Sequence, residues 1–131
     1  MTIRKTAPHL RLRPRYRYVE SDLQTACVRW FRLQYPSLSL CLFAVPNGGN
    51  RNPYEAARMK AEGVTAGVAD LILLIPGGGH GSLCIEMKSA VGRQRPEQKA
   101  WQQAVEAVGN QYVVCRSFDE FRAVVDDYLS K

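Results

Sequence analysis

The sequence predicts a mixed α/β fold, one sheet flanked by helices, and three observations point to it. Apolar residues recur at helical spacing in three long segments and crowd into short alternating or continuous runs in four others. Two of the short runs are joined by a glycine-rich turn, as in an antiparallel hairpin. The last short run follows a long helical segment, the arrangement by which a chain returns parallel to an earlier strand.

Each element has its own signal. Over residues 21–35, Leu23, Ala26, Cys27, Trp30 and Phe31 form a helical stripe that Pro36 ends. Residues 37–45 first alternate and then run apolar, which predicts a strand, and Pro46-Asn47-Gly48-Gly49-Asn50 predicts a loop. Residues 53–62 open on Pro53 and are followed by Gly63, the punctuation of a short helix. Residues 71–75 and 82–87 read as two strands of a long hairpin whose tip is Pro76-Gly77-Gly78-Gly79-His80-Gly81. Pro96 starts a second long helix with Trp101, Ala104, Val105 and Val108 on one stripe and Gly109 at its end. Residues 111–115 predict a short buried strand, and residues 118–129 a closing helix with Phe121, Val124, Val125 and Tyr128 turned inward.

A length of 131 residues suits a single domain, here expected over residues 20–131 and preceded by an arm, residues 1–19. With 46% hydrophobic and 23% charged residues, a packed core is expected. No apolar run approaches the roughly 18 residues of a membrane span, and the first residues lack the apolar stretch of a secretory signal, so an intracellular, cytoplasmic location is expected. Cys27, Cys41, Cys84 and Cys115 form no CxxC pair and sit in apolar stretches, which predicts reduced core thiols.

The net charge of +6 is concentrated in the arm, where Arg4, Lys5, Arg11, Arg13, Arg15 and Arg17 stand without an acid. Beyond it 12 basic residues balance 12 acidic ones. Arg11, Arg13, Arg15 and Arg17 alternate with Leu12, Pro14, Tyr16 and Tyr18, so an extended arm lines its guanidinium groups on one side. Such a strip suits the backbone of a nucleic acid, although a solvated basic tail has the same composition.

The chemistry-bearing residues lie on the hairpin. In Ser82-Leu83-Cys84-Ile85-Glu86-Met87-Lys88 the period of two puts Leu83, Ile85 and Met87 on one face and Glu86 and Lys88 on the other. Asp70 opens the partner strand, which is otherwise apolar. The hairpin can bring Asp70 to Glu86 and Lys88. Two converging carboxylates make a hard-oxygen site suited to magnesium; a cross-strand salt bridge would use the same residues.

An acid on one strand followed by Glu-x-Lys on the next resembles the PD-(D/E)XK nuclease superfamily. More closely, Gly63-Val64-Thr65-Ala66-Gly67-Val68-Ala69-Asp70-Leu71, then Glu86-Met87-Lys88, then Pro96-Glu97-Gln98-Lys99-Ala100-Trp101 resembles the VRR-NUC family of virus-type replication-repair nucleases, over about residues 20–129. Ala69 stands where the superfamily name has proline, a position that shapes backbone and ligates nothing. The resemblance implies a restriction-endonuclease-like sheet. It also implies that Asp70, Glu86 and the Met87 carbonyl hold Mg2+, with Mn2+ as a substitute, and that Lys88 positions and helps deprotonate the attacking water. Gln98 matches the family's supporting glutamine and Glu20 the acid of its first helix. For Glu20 a second account stays open: Ser21 and Gln24 as a capping box, with Glu20 just outside the helix as a charge near its positive end.

Weaker candidates complete the reading. Asn47, Arg51, Arg58 and Lys60 precede Asp70 and are candidates for phosphate contacts, Arg51 and Lys60 foremost, although a solvated face would look alike. The Gly77 to Gly81 run lacks the Lys-Ser/Thr of a P-loop and reads as a flexible tip carrying an exposed His80. The expected function is that of a Mg2+-dependent DNA endonuclease active in DNA repair. Stand-alone domains of the family resemble dimeric resolvases, so a homodimer acting on branched DNA such as four-way (Holliday) junctions is expected, with no membrane partner. The alternatives are a non-catalytic DNA-binding module, which has no use for Asp70, Glu86 and Lys88 together, and a protein-binding domain, which has none for the arginine strip.

Overall fold

The computed structural model describes residues 19–46 and 52–131, so the arginines of the arm and the loop with Asn47 and Arg51 lie outside the described residues. The elements run α1 (Val19–Gln34), a 3-10 helix (Pro36–Cys41), β1 (Leu42–Ala44), α2 (Pro53–Ala61), β2 (Leu71–Leu73), β3 (Leu83–Met87), α3 (Pro96–Ala107), β4 (Gln111–Cys115) and α4 (Phe118–Leu129). The four strands form one mixed sheet in the order β1-β2-β3-β4. β1 pairs with β2, and β2 with β3, antiparallel; β3 pairs with β4 parallel, with α3 as the crossover.

Two layers of helix cover the sheet. Leu71, Leu73, Leu83, Ile85 and Met87 pack with Cys27 and Phe31 of α1 and with Phe121, Val125 and Tyr128 of α4. Trp30 meets Phe118 and Phe121 edge-on, with centroids 6.2 and 6.1 Å apart, and locks the two helices together. On the opposite face Ala69, Cys84 and Tyr112 are buried with Trp101 and Val105 of α3 against them. The central strand β3 is thus buried on both faces, all five residues of it. The four cysteines are free; Cys27, Cys84 and Cys115 are buried and Cys41 half-buried, and burial pushes the Cys27 thiol up to about 11 and Cys115 to about 12.

Four local expectations are corrected. Of residues 37–45, only Leu42–Ala44 is strand. Pro36 fixes φ at the start of a 3-10 helix, and the Ser-Leu alternation is no sheet face, since Leu38 packs on the core while Leu40 is 94% exposed. The first helix begins at Val19, which puts Glu20 in its first turn and Ser21 inside it, so Ser21 is not the N-cap of a capping box. In α3 only Trp101 and Val105 of the expected stripe are half-buried; Ala104 and Val108 are exposed, because the helix covers only the β3–β4 side of the sheet. The Gly77–Gly81 tip is a closed turn: Gly77 and His80 exchange two backbone hydrogen bonds of 3.0 and 2.9 Å, and His80 is half-buried. Gly78 and Gly79 sit at φ +57° and +83°, the left-handed pair such a two-residue turn demands.

Candidate active site

Asp70 leads into β2, and the antiparallel register Leu71↔Ile85 sets it beside the C-terminal end of β3. There its Oδ2 accepts a 2.7 Å hydrogen bond from the Met87 amide. The preceding Gly67 explains the glycine-rich approach. It sits at φ +86°, and a Cβ there would lie 2.2 Å from the Glu97 carbonyl oxygen. Only glycine lets this segment press against the start of α3, the helix that carries Gln98.

Glu86 is 2% exposed and points to the α3 face of the sheet. Both of its oxygens have donors. Gln98 Nε2 donates to Oε1 at 3.1 Å, and the Tyr112 hydroxyl donates to Oε2 at 3.3 Å. Lys88 Nζ lies 3.9 Å from Oε1, with its own side chain nearly buried. The Glu86 carboxyl is pushed up from 4.5 to about 8, first by burial and then by the hydrogen bond and repulsion of Asp70; Lys88 and Tyr112 act the other way without cancelling it. Gln98 itself is oriented by helix chemistry. Its Oε1 accepts from the Arg95 amide at 2.8 Å, a cap on α3, and that turns its NH2 toward Glu86.

The loop after Lys88 is tied down from two sides. Glu20 Oε1 accepts from the Ser89 amide at 3.1 Å, so Glu20 reaches the edge of the site from α1. It holds backbone there and does not join Asp70 and Glu86: among the described residues no three His, Cys, Asp or Glu side chains gather as a metal cage. Arg116, just past β4, donates to the carbonyls of Ser89 at 2.8 Å and Gly92 at 2.6 Å. Gly92 lies close to Lys88, since a Cβ on it would be 3.5 Å from Lys88 Cδ.

The structure therefore brings together Asp70, Glu86, Met87, Lys88 and Gln98, with Glu20 at their margin. Lys60 is exposed in the last turn of α2, and Arg58 beside it pairs with Glu62 at 3.3 Å. Arg11, Arg13, Arg15, Arg17 and Arg51 lie outside the described residues. Sequence reasoning missed Tyr112, Gln94 and Arg116. A tyrosine in a buried strand signals a hydroxyl in need of a partner, but its partner emerges only from the register Cys84↔Tyr112.

Chemically, two carboxylates and a backbone carbonyl at a strand end form an all-oxygen donor set, and the lysine adds one fixed positive charge beside them. The crowding that drives Glu86 to hold a proton up to about 8 is what a divalent cation would relieve, so the residues fit magnesium.

The family model described as "VRR-NUC domain" matches residues 18–119. A solved structure named "VRR_NUC domain protein" superposes with a TM-score of 0.74 at 29% identity, over 85% of this chain and 88% of that one. A comparison with curated proteins finds no match.

Proposed function

The chain belongs to the VRR-NUC domain family, and from that premise we propose that it is a Mg2+-dependent endonuclease that hydrolyses phosphodiester bonds in DNA. The observation that carries the reading is the meeting of Asp70 and Glu86 from adjacent strands, with Lys88 3.9 Å from Glu86 and Gln98 hydrogen-bonded to it. Asp70, Glu86 and the Met87 carbonyl would hold the ion. When bound, it supplies positive charge against the phosphate oxygens and eases deprotonation of the attacking water.

The chain's own residues do the rest. Lys88 holds the water near Glu86 and offsets the negative charge that develops as its oxygen attacks phosphorus. The phosphorus–oxygen bond to the leaving nucleotide breaks, and the proton that the water gives up is matched by one taken up on the departing oxygen, so that the products are a phosphate monoester and a hydroxyl. Gln98 keeps Glu86 from swinging away. The basic residues of the arm, six without an acid, supply sequence-independent attraction to the duplex.

The substrate we infer is branched DNA, such as a four-way junction, cut by a homodimer: one domain has one site, and coordinated cutting of two strands is most simply achieved by two sites on a two-fold axis. The test is to incubate the protein with linear, flapped, nicked and four-way DNA, with Mg2+ or EDTA. Cleavage only with Mg2+, strongest on the four-way substrate, is expected, with a dimer by light scattering. Binding without cleavage of any substrate overturns the enzyme reading in favour of a DNA-binding module; equal cutting of linear duplex by a monomer overturns the branched-DNA reading alone.

A further inference from the structure

Gln98 has two reasons to be where it is, since it caps α3 as well as touching Glu86. The ring of Tyr112 is part of the core beneath α3, but its hydroxyl serves no cap. Its hydroxyl is hydrogen-bonded to Glu86 Oε2 at 3.3 Å and to Gln94 Nε2 at 3.1 Å. The same Gln94 Nε2 donates to Gln102 Oε1 on α3 at 2.9 Å. The direction of the chain follows from these partners. An NH2 group can only donate, so Gln94 fills the acceptor side of the phenol oxygen and turns the single phenolic proton toward Glu86. Trp101 packs against the Tyr112 ring with centroids 6.1 Å apart and restrains it.

Glu86 is thereby gripped at both oxygens, which fixes the twist of its carboxylate as well as its position. One grip would leave it free to rotate. A fixed carboxylate matters unequally to different ions. Magnesium demands near-ideal octahedral geometry and gives up its waters reluctantly, whereas calcium accepts six to eight oxygens in irregular arrangements and takes carboxylates through one oxygen or both.

We propose that Tyr112, set by Gln94, is a positioning residue for Glu86 that makes the site select magnesium over calcium. This rests on the reading of Asp70 and Glu86 as metal ligands. Removing the hydroxyl should lower magnesium affinity by roughly tenfold or more, the usual scale for an outer partner of a ligand. Calcium affinity, tolerant of a rotating carboxylate, should fall much less. A purely structural role would weaken both ions alike, so the ratio of the two affinities is the diagnostic.

The experiment titrates MgCl2 and CaCl2 into the full chain without DNA, by calorimetry and by the shift in melting temperature, for wild type, Tyr112→Phe and Gln94→Ala. The expected result is a fall in the magnesium-to-calcium preference for Tyr112→Phe and a smaller fall in the same direction for Gln94→Ala. Gln94 lies in the loop before α3, outside the sheet, so its variant carries the test if Tyr112→Phe does not fold. Equal losses for the two ions, or unchanged preference in both variants, overturn the inference and leave the metal site standing. A wild-type protein that binds neither ion overturns the metal site and the inference with it.

Discussion

On β3, Leu83, Ile85 and Met87 enter the apolar layer beneath α1 and α4, while Glu86, between the last two, enters the α3 layer among Gln98, Tyr112 and Lys88. Every one of these side chains is buried, so burial alone does not separate them. What differs is what burial does. For Ile85 it removes apolar surface from water, a gain that needs no partner. For Glu86 it strips water from a charge, a cost only partly offset by Gln98, Tyr112 and Lys88 and increased by Asp70. A strand that stabilises through one face and stores unfavourable electrostatics on the other is what the proposed cation site requires.

Substitutions of adjacent residues should separate the faces. Asp70→Asn and Glu86→Gln should each lower cleavage by roughly a thousandfold or more, on the scale of losing a main electrostatic element of a site, with the melting temperature unchanged or raised. Ile85→Ala should do the reverse, costing about 2–5 kcal/mol of stability while the folded fraction cuts normally. Near-normal cleavage by Glu86→Gln, or a selective loss of activity in a fully stable Ile85→Ala, would break the distinction; denaturant melts and single-turnover cleavage read both.

Lys88 sharpens it further, because it shares the polar face with Glu86 without being a ligand in the proposed scheme. Lys88→Ala should slow cleavage about a hundredfold to a thousandfold and leave Mg2+ binding in place. Loss of Mg2+ binding in Lys88→Ala but not in Asp70→Asn would reverse the roles.

The stored cost should also appear as a pH dependence of stability. Glu86 holds its proton up to about 8 in the folded protein, against 4.5 ordinarily. Between those values the folded state binds more protons than the unfolded one, so metal-free stability should fall as pH rises from about 4.5 to about 8 and level off above it. In the proposed site Mg2+ would displace that proton, so the stabilisation it confers should grow over the same range. Glu86→Gln should flatten the slope. Urea melts in EDTA and in Mg2+ at several pH values test this; an identical slope in wild type and Glu86→Gln would remove Glu86 as its source.

The apolar face was legible in the sequence because its logic is local: alternation in β3, the α1 stripe of Cys27 and Phe31, and the α4 stripe of Phe121, Val125 and Tyr128 need no knowledge of the partner. Locality misled at residues 37–40, where alternation continued into a 3-10 turn that exposes Leu40. On the polar face, the nearness of Asp70 to Glu86 followed from the hairpin. Gln98 was reached only through family resemblance, since its bond to Glu86 depends on where α3 crosses the sheet. Tyr112 and Arg116 were missed for the same reason: each acts across elements, one through the β3–β4 register and the other through a loop.

Gln98 offers the smallest and most discriminating prediction, because it belongs to both sides of the comparison at once. Its Oε1 caps α3 and its Nε2 holds Glu86, so one residue carries a stability contribution and a site contribution through different atoms. Gln98→Ala removes both and should cost about 1 kcal/mol of stability, as a lost cap does, along with roughly tenfold in cleavage. Gln98→Glu keeps an acceptor for the Arg95 amide at a helix start that favours negative charge. It also sets a third carboxylate against Glu86. The cap is preserved and the site is not, so without metal this variant should be less stable than Gln98→Ala at pH 8, where both acids are driven to ionise, and closer to wild type at pH 5, where they can hold protons. If the two variants had the same stability at both pH values, the Gln98–Glu86 contact would carry no weight and only the cap would remain.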